Sequence, residues 1–284
     1  MPEVVRRVFV IVNPQRDDAR VILREIQQYF RDRRVEVSLH TQDGPIPASA
    51  LEGVDLAVSL GGDGTLLSCA RACVHSKIPI LAVNMGKFGF ITEVTSAEWR
   101  RAYEKYAAGK LGISRRVMVE ADVVRDGKTA CTLIGLNDAV VGTSGVSRLI
   151  ELRLFLAASY VGRYRADGVI VATPTGSTAY SMGAGGPIVH PEMEALILNP
   201  ICPFTLSNRP LVVPANEDIE LELERAERTE VVLTLDGQEP FPLATGDRIR
   251  LRMLEARSLI VRSDRRNFYE VLRSKLNWSG EPNA

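Results

Sequence analysis

The chain has 284 residues, is 45% hydrophobic, and carries 35 basic side chains against 35 acidic ones. That length holds two domains or one large one, with enough apolar content to fill a core. Zero formal charge with dispersed basic residues lacks the electrostatic footprint of a nucleic-acid binder, so no nucleic-acid partner is expected.

The N-terminal apolar run, Val8 to Val12, is too short for a signal sequence or a membrane span, so no membrane partner is expected. Val8–Asn13 predicts a first strand. Asp17–Arg33 predicts a helix whose apolar side is Val21, Ile22, Ile26, Tyr29 and Phe30. Val35–Leu39, Val54–Leu60 and Pro79–Val83 are further strands, with a helix from Thr65 to Val74 between the last two. Thr95 and Glu98 form a capping-box pair for a helix that runs to Ala108 and stops at Gly109. The alternation predicts an α/β domain over residues 1–110, with a Rossmann-like parallel sheet and ligands at the carboxyl ends of its strands.

From residue 111 to 264 the pattern becomes β-rich. Val117–Arg125 and Lys128–Leu136 flank Asp126-Gly127, a strong hairpin signal. Strand-like runs follow at Arg148–Leu156, Gly168–Thr173, Ile219–Arg225, Glu230–Leu235, Arg248–Met253 and Ser258–Val261. They predict antiparallel layered sheets. Residues 265–284 contain an amphipathic segment, Asn267–Leu276, expected to be a helix that packs back on the first domain. A cleft between the two halves is the default binding site. Cys69, Cys73, Cys131 and Cys202 lack metal-ligand spacing and are expected as reduced thiols in a cytoplasmic protein.

The chemistry concentrates at Gly61-Gly62-Asp63-Gly64-Thr65, directly after the apolar run Val54–Leu60. Glycines let backbone N–H groups approach a ligand, and a helix N-terminus suits an anion. A carboxylate in that setting repels phosphate unless it holds a metal or takes a proton from an attacking hydroxyl. The bland alternative is a strand-to-helix turn with Asp63 as cap. Gly127-Lys128-Thr129 is not a P-loop, because position 122 is Asp rather than Gly, and no G-x-G-x-x-G occurs.

A second strand, turn and short helix spans Thr173-Pro174-Thr175-Gly176-Ser177-Thr178-Ala179-Tyr180, with Ser181 and Gly183 beyond it. Its hydroxyls suit sugar or phosphate oxygens. Asp167 and Asn137-Asp138 can accept from ribose hydroxyls. Each segment alone also reads as an ordinary turn or loop, and Asp236-Gly237-Gln238 as a hairpin turn.

Taken together, these segments resemble bacterial NAD kinases, which phosphorylate the adenosine 2′-hydroxyl of NAD to make NADP. The resemblance rests on Gly61–Thr65, Asn84-Met85-Gly86-Lys87-Phe88-Gly89-Phe90, Asn137-Asp138, Tyr164–Gly168, Thr173–Tyr180 and Asp236–Gln238, in the family's order. It implies that Asp63 is the general base and Gly64 lines the nucleotide. Asn137 and Asp138 would bind NAD, with Arg148, Arg165 and Asp167 around its adenosine and phosphate parts. Thr178, Ala179, Tyr180, Ser181 and Gly183 would wall the pocket, and Gln238 would add a contact. It also implies ATP, another triphosphate or polyphosphate as donor, Mg²⁺ or another divalent cation without an assigned protein ligand, and a homodimer or homotetramer. Two departures are Asp138 for the family's Glu and Phe88 for its Leu. The alternatives are a lipid kinase sharing the Asp63 loop and a non-catalytic NAD(H)-binding module.

Overall fold

The computed structural model describes residues 5–13, 17–42, 44–86, 89–145, 149–205, 207–226 and 230–278. The chain forms two compact units, residues 1–116 with 257–284, and residues 117–256. The first unit begins with β1 (Arg7–Val12), α1 (Asp17–Arg31), β2 (Glu36–Thr41), β3 (Leu56–Gly61), α2 (Asp63–Cys73) and β4 (Pro79–Asn84). The two-residue β5 (Val94–Thr95), α3 (Trp99–Ala107) and β6 (Ile113–Arg116) follow. The second unit supplies β7 (Val119–Arg125), β8 (Lys128–Gly135), β9 (Asp138–Thr143), β10 (Ile150–Leu156), β11 (Ser159–Ala166) and β12 (Gly168–Ala172). It continues with the single turn α4 (Tyr180–Gly183), β13 (Ala195–Ile201), β14 (Leu211–Pro214), β15 (Ile219–Ala226), β16 (Val231–Leu235), β17 (Phe241–Leu243) and β18 (Arg248–Met253). The chain returns to the first unit as β19 (Ser258–Val261) and α5 (Phe268–Leu276).

The first sheet has the order β2-β1-β3-β4-β19-β6, with β5 beside β4. Its pairings are parallel except for β19 with β6. β3 is buried at every position and β4 at all but its first. Continuous apolar runs of this kind suit strands covered on both faces. Ile26, Tyr29 and Phe30 of α1 meet Trp99 and Tyr103 of α3 in the core beside β3 and β4. Each fully buried aliphatic or aromatic side chain there contributes about 1.5–3 kcal/mol.

The domain boundary differs from the sequence reading. Ile113–Arg116 and Ser258–Val261, assigned above to the β-rich half, pair with each other, and β19 also pairs with β4 in the first sheet. Four-residue β-prone runs carry no information about which sheet completes their hydrogen bonds. α5 belongs to the first unit, as expected, and starts at a capping box in which Asn267 Oδ1 accepts from Glu270 N while Glu270 Oε2 accepts from Asn267 N. The pair Thr95–Glu98 works differently. α3 begins at Trp99, and the Glu98 carboxylate accepts from Thr95 N, Thr95 Oγ1 and Arg266 instead of serving inside the helix.

The second unit holds two six-stranded antiparallel sheets, β11-β10-β15-β18-β7-β8 and β14-β13-β12-β9-β16-β17. Alternate residues from both, such as Leu152, Leu221 and Ile249 against Val171, Leu198 and Leu233, form one core. The outer face of the first of these sheets carries paired charges of both signs. Glu220 stands opposite Arg250 and Glu222 opposite Arg248, and Arg153 adds a further ion pair to Glu222. Such cross-strand pairs contribute roughly 0.2–1 kcal/mol each and keep the face in water. Strands β9, β11, β13, β14 and β17 have no counterpart in the sequence reading. Pro200 hides β13, since proline cannot donate to a ladder.

Candidate active site

β3 delivers the Gly61–Thr65 segment to the carboxyl edge of the first sheet, and Gly62 is the N-cap of α2. Helix α2 therefore starts at Asp63, two residues earlier than expected, and the carboxylate lies in its first turn. Asp63 does not cap its own helix. Its Oδ2 accepts from Phe90 N at 2.9 Å, and Oδ1 accepts from Thr92 N at 3.1 Å, Ile91 N at 3.4 Å and Thr92 Oγ1 at 2.9 Å. The capping alternative accounts for none of these bonds. Thr65 Oγ1 donates to Gln42 Oε1, and Gln42 Nε2 donates to Gly64 O, which fixes the far side of the turn.

The glycines separate by role. A methyl group at position 89 would lie 2.0 Å from Asp63 Oδ1, so Gly89 is required by the close approach of the carboxylate to the 89–92 segment. At Gly62 and Gly64 a methyl would meet nothing within 4 Å. Protein packing does not demand glycine there, and backbone left bare toward open space is what a phosphate cradle needs.

In the second unit the sheet register gathers three motifs. β12 pairs with β9 so that Ala172 faces Asp138, and β16 pairs with β9 so that Leu235 faces Ala139. Asn137-Asp138, the Thr173–Tyr180 turn and Asp236–Gln238 consequently share one end of that sheet. Asp236 takes a left-handed φ of 52° and accepts from Leu136 N, Asn137 N and Asp138 N. Thr173 Oγ1 donates to Leu136 O, and Thr173 N donates to Asn137 O. A methyl at Gly176 would lie 2.0 Å from Asn137 O, so the turn packs directly on the Asn137 backbone.

This end of the sheet is chemically unfinished. Two of the eight buried side-chain polar atoms that lack a hydrogen-bond partner among the described residues, Asn137 Oδ1 and Thr175 Oγ1, lie here. Buried polar atoms without partners are rare in folded proteins and fit a ligand's hydroxyl or amide groups. Burial, and secondarily the charge of Asp236, pushes the Asp138 carboxyl up to about 7. A protonated carboxyl there can donate as well as accept.

The other expected residues divide further. Thr178 is buried with its hydroxyl donating to Thr175 O, Ala179 N donates to Gly176 O, and the Tyr180 side chain is 51% exposed. Ser181 is wholly buried and held by Asn199, which makes it part of the turn's support. Gly183 and Gln238 are exposed, and Gln238 N donates to Leu235 O. Arg165 and Asp167 are not gathered here. They precede β12, whereas Thr173 follows it, and a five-residue strand at roughly 3.3 Å per residue separates the two ends by on the order of 15 Å. Arg165 pairs with Glu151 on the sheet face and lies 5.0 Å from the Phe204 ring. Arg148 lies outside the described residues. The sequence reading missed Thr92 and Gln42; it placed Thr175 among the hydroxyls of the Thr173–Tyr180 turn and Asp236 in the Asp236–Gln238 segment without giving either residue a role of its own. Among the described residues no group of three His, Cys, Asp or Glu side chains could hold a metal ion.

The model of the ATP-NAD kinase N-terminal domain matches residues 44–111, and that of the C-terminal domain matches residues 136–263. The chain belongs to the NAD kinase family. The NAD kinase of Treponema denticola is 38% identical over 277 residues, covering 97% of this chain and 98% of that protein. Among solved structures, a yeast NADH kinase complexed with NADH superposes with a TM-score of 0.87 at 25% identity, covering 98% of this chain and 89% of that one. An NAD kinase from Archaeoglobus fulgidus in complex with ATP gives 0.77 at 27% identity, covering 96% and 100%. The resemblance read from the sequence is therefore confirmed at the level of family, fold and enzyme class. These matches give no support to a lipid kinase or a non-catalytic module.

Proposed function

We propose that this NAD kinase transfers the γ-phosphoryl group of ATP to the adenosine 2′-hydroxyl of NAD, with Asp63 as general base. The observation that carries the reading is the Asp63 carboxylate itself, held by four donors from residues 90–92 beside the open backbone of Gly62 and Gly64. In the step, the 2′-hydroxyl proton passes to the carboxylate, the ribose oxygen bonds to the γ-phosphorus, and the bond from that phosphorus to the ADP oxygen breaks. The transition state is loose, so positioning and charge neutralisation outweigh covalent help. The backbone N–H groups at the start of α2 would face the phosphates.

Asn137, Asp138, Thr175 and the Thr178–Tyr180 wall would take the dinucleotide's hydroxyl and amide groups, supported by the unpartnered polar atoms of Asn137 and Thr175. The yeast and Archaeoglobus structures, with NADH and ATP respectively, support the same ligand classes here. A divalent cation such as Mg²⁺ fits a site with so few carboxylates only if nucleotide phosphates supply most of its oxygens. When bound, it would neutralise phosphate charge. A homodimer or homotetramer in the cytoplasm completes the proposal, supported by four unbridged cysteines and by the exposed Leu211 and Val212 on edge strand β14. One incubation with NAD, ATP and Mg²⁺, read by an NADP-specific dehydrogenase, tests the reaction. NADP should accumulate, and its absence would overturn the reading.

A further inference from the structure

We infer that Thr92 is a positioning residue for the reaction, the last link of a directional hydrogen-bond chain that aims the Asp63 carboxylate. The inference rests on the reading of Asp63 as base.

The direction of the chain follows from donor chemistry. Gly86 N can only donate, and it bonds one side-chain amide atom of Asn84 at 2.7 Å, so that atom is the carbonyl oxygen. The other amide atom is then the nitrogen, and it donates to Thr92 Oγ1 at 3.2 Å. With that approach filled by a donor, the hydroxyl proton of Thr92 turns to Asp63 Oδ1 at 2.9 Å. Asn84 and Thr92 are 3% and 0% exposed, so water does not compete for these bonds.

The consequence is an asymmetry between the carboxylate oxygens. Among the described residues Oδ1 accepts three donors and Oδ2 only Phe90 N. Oδ1 has no lone pair left, whereas Oδ2 keeps one for the substrate hydroxyl. The backbone donors of residues 90–92 hold the carboxylate in place, and the Thr92 hydroxyl is the side-chain donor that saturates Oδ1. The segment is itself pinned at its far end, where Arg266 donates to Glu93 O and Glu98 Oε2.

The test compares Thr92→Val, Thr92→Ser and Asn84→Asp with wild type and Asp63→Asn, in steady-state kinetics with NAD, ATP and Mg²⁺. Valine keeps the shape and loses the donor, so kcat should fall about 10- to 100-fold, with KM for NAD and ATP within about twofold. Serine restores the donor and should recover most of kcat. Asn84→Asp leaves the threonine in place but offers its proton a second carboxylate, and it should slow turnover in the same manner. Wild-type kcat in Thr92→Val, or a serine variant as slow as the valine one, overturns the proposal. Should Thr92→Val fold poorly, Asn84→Asp decides alone, and wild-type turnover in it also overturns the proposal. Asp63→Asn separates the two levels of the argument. A fast Asp63→Asn variant defeats the base reading, whereas a slow one beside a fast Thr92→Val defeats only the positioning role.

Discussion

Replacing Asp138 with Asn should flatten part of the pH dependence of stability. The carboxyl is 5% exposed, and burial together with the neighbouring Asp236 raises it from 3.8 to about 7. Below about pH 4 the group is protonated in folded and unfolded chains alike and costs nothing. As pH rises toward 7 the unfolded chain ionises while the folded one stays neutral, so unfolding releases a proton and stability falls. At about 1.36 kcal/mol for each unit of difference, the full loss is on the order of 4 kcal/mol, complete above the folded value. An amide of nearly the same shape does not titrate. The assay is urea denaturation of both proteins at steps from pH 4 to 8, followed by circular dichroism. Opposing contributions from carboxylates held low, such as Asp247 beside Arg125, cancel in the difference between the two curves. That difference should grow in favour of Asp138→Asn with pH and level off above 7. Parallel curves would refute the buried, neutral carboxyl.

Two glycine substitutions separate site geometry from fold. Gly89→Ala puts a methyl group against the Asp63 carboxylate, so kcat should drop about 100-fold while the melting temperature moves little; unchanged turnover would show that the carboxylate relaxes freely. Gly176→Ala drives a methyl into the backbone of Asn137 inside a buried turn, which should cost about 1–3 kcal/mol or more in urea denaturation and weaken NAD binding in calorimetry. Wild-type stability with wild-type affinity would contradict that packing.

Much of the first unit was legible because its central strands are continuous apolar runs and its helices carry an apolar stripe. What escaped were features without local signal. β6 and β19 share four-residue patterns with the second unit's strands, and only hydrogen-bonding partners decide their sheet. The start of α2 at Asp63 was missed because glycines lower helix propensity just where a ligand-binding helix end needs them. Asp63 itself stood out from its neighbours, but Thr92 did not, since a contact across 29 positions appears only when the 89–92 segment folds back on α2. The common position of Asn137, Thr173 and Asp236 came from strand register, which short alternating segments do not specify. The same register sends Arg165 and Asp167 to the opposite end of β12, although they lie near Thr173 in the sequence.

The base role of Asp63 is the claim on which the chemistry turns, and the rate of the Asp63→Asn variant at saturating NAD and ATP tests it most directly. General bases are worth about 10² to 10⁴ in rate, so kcat should fall by that order while NAD affinity measured by calorimetry stays within about twofold. An Asn variant that turns over within about threefold of wild type would contradict the account.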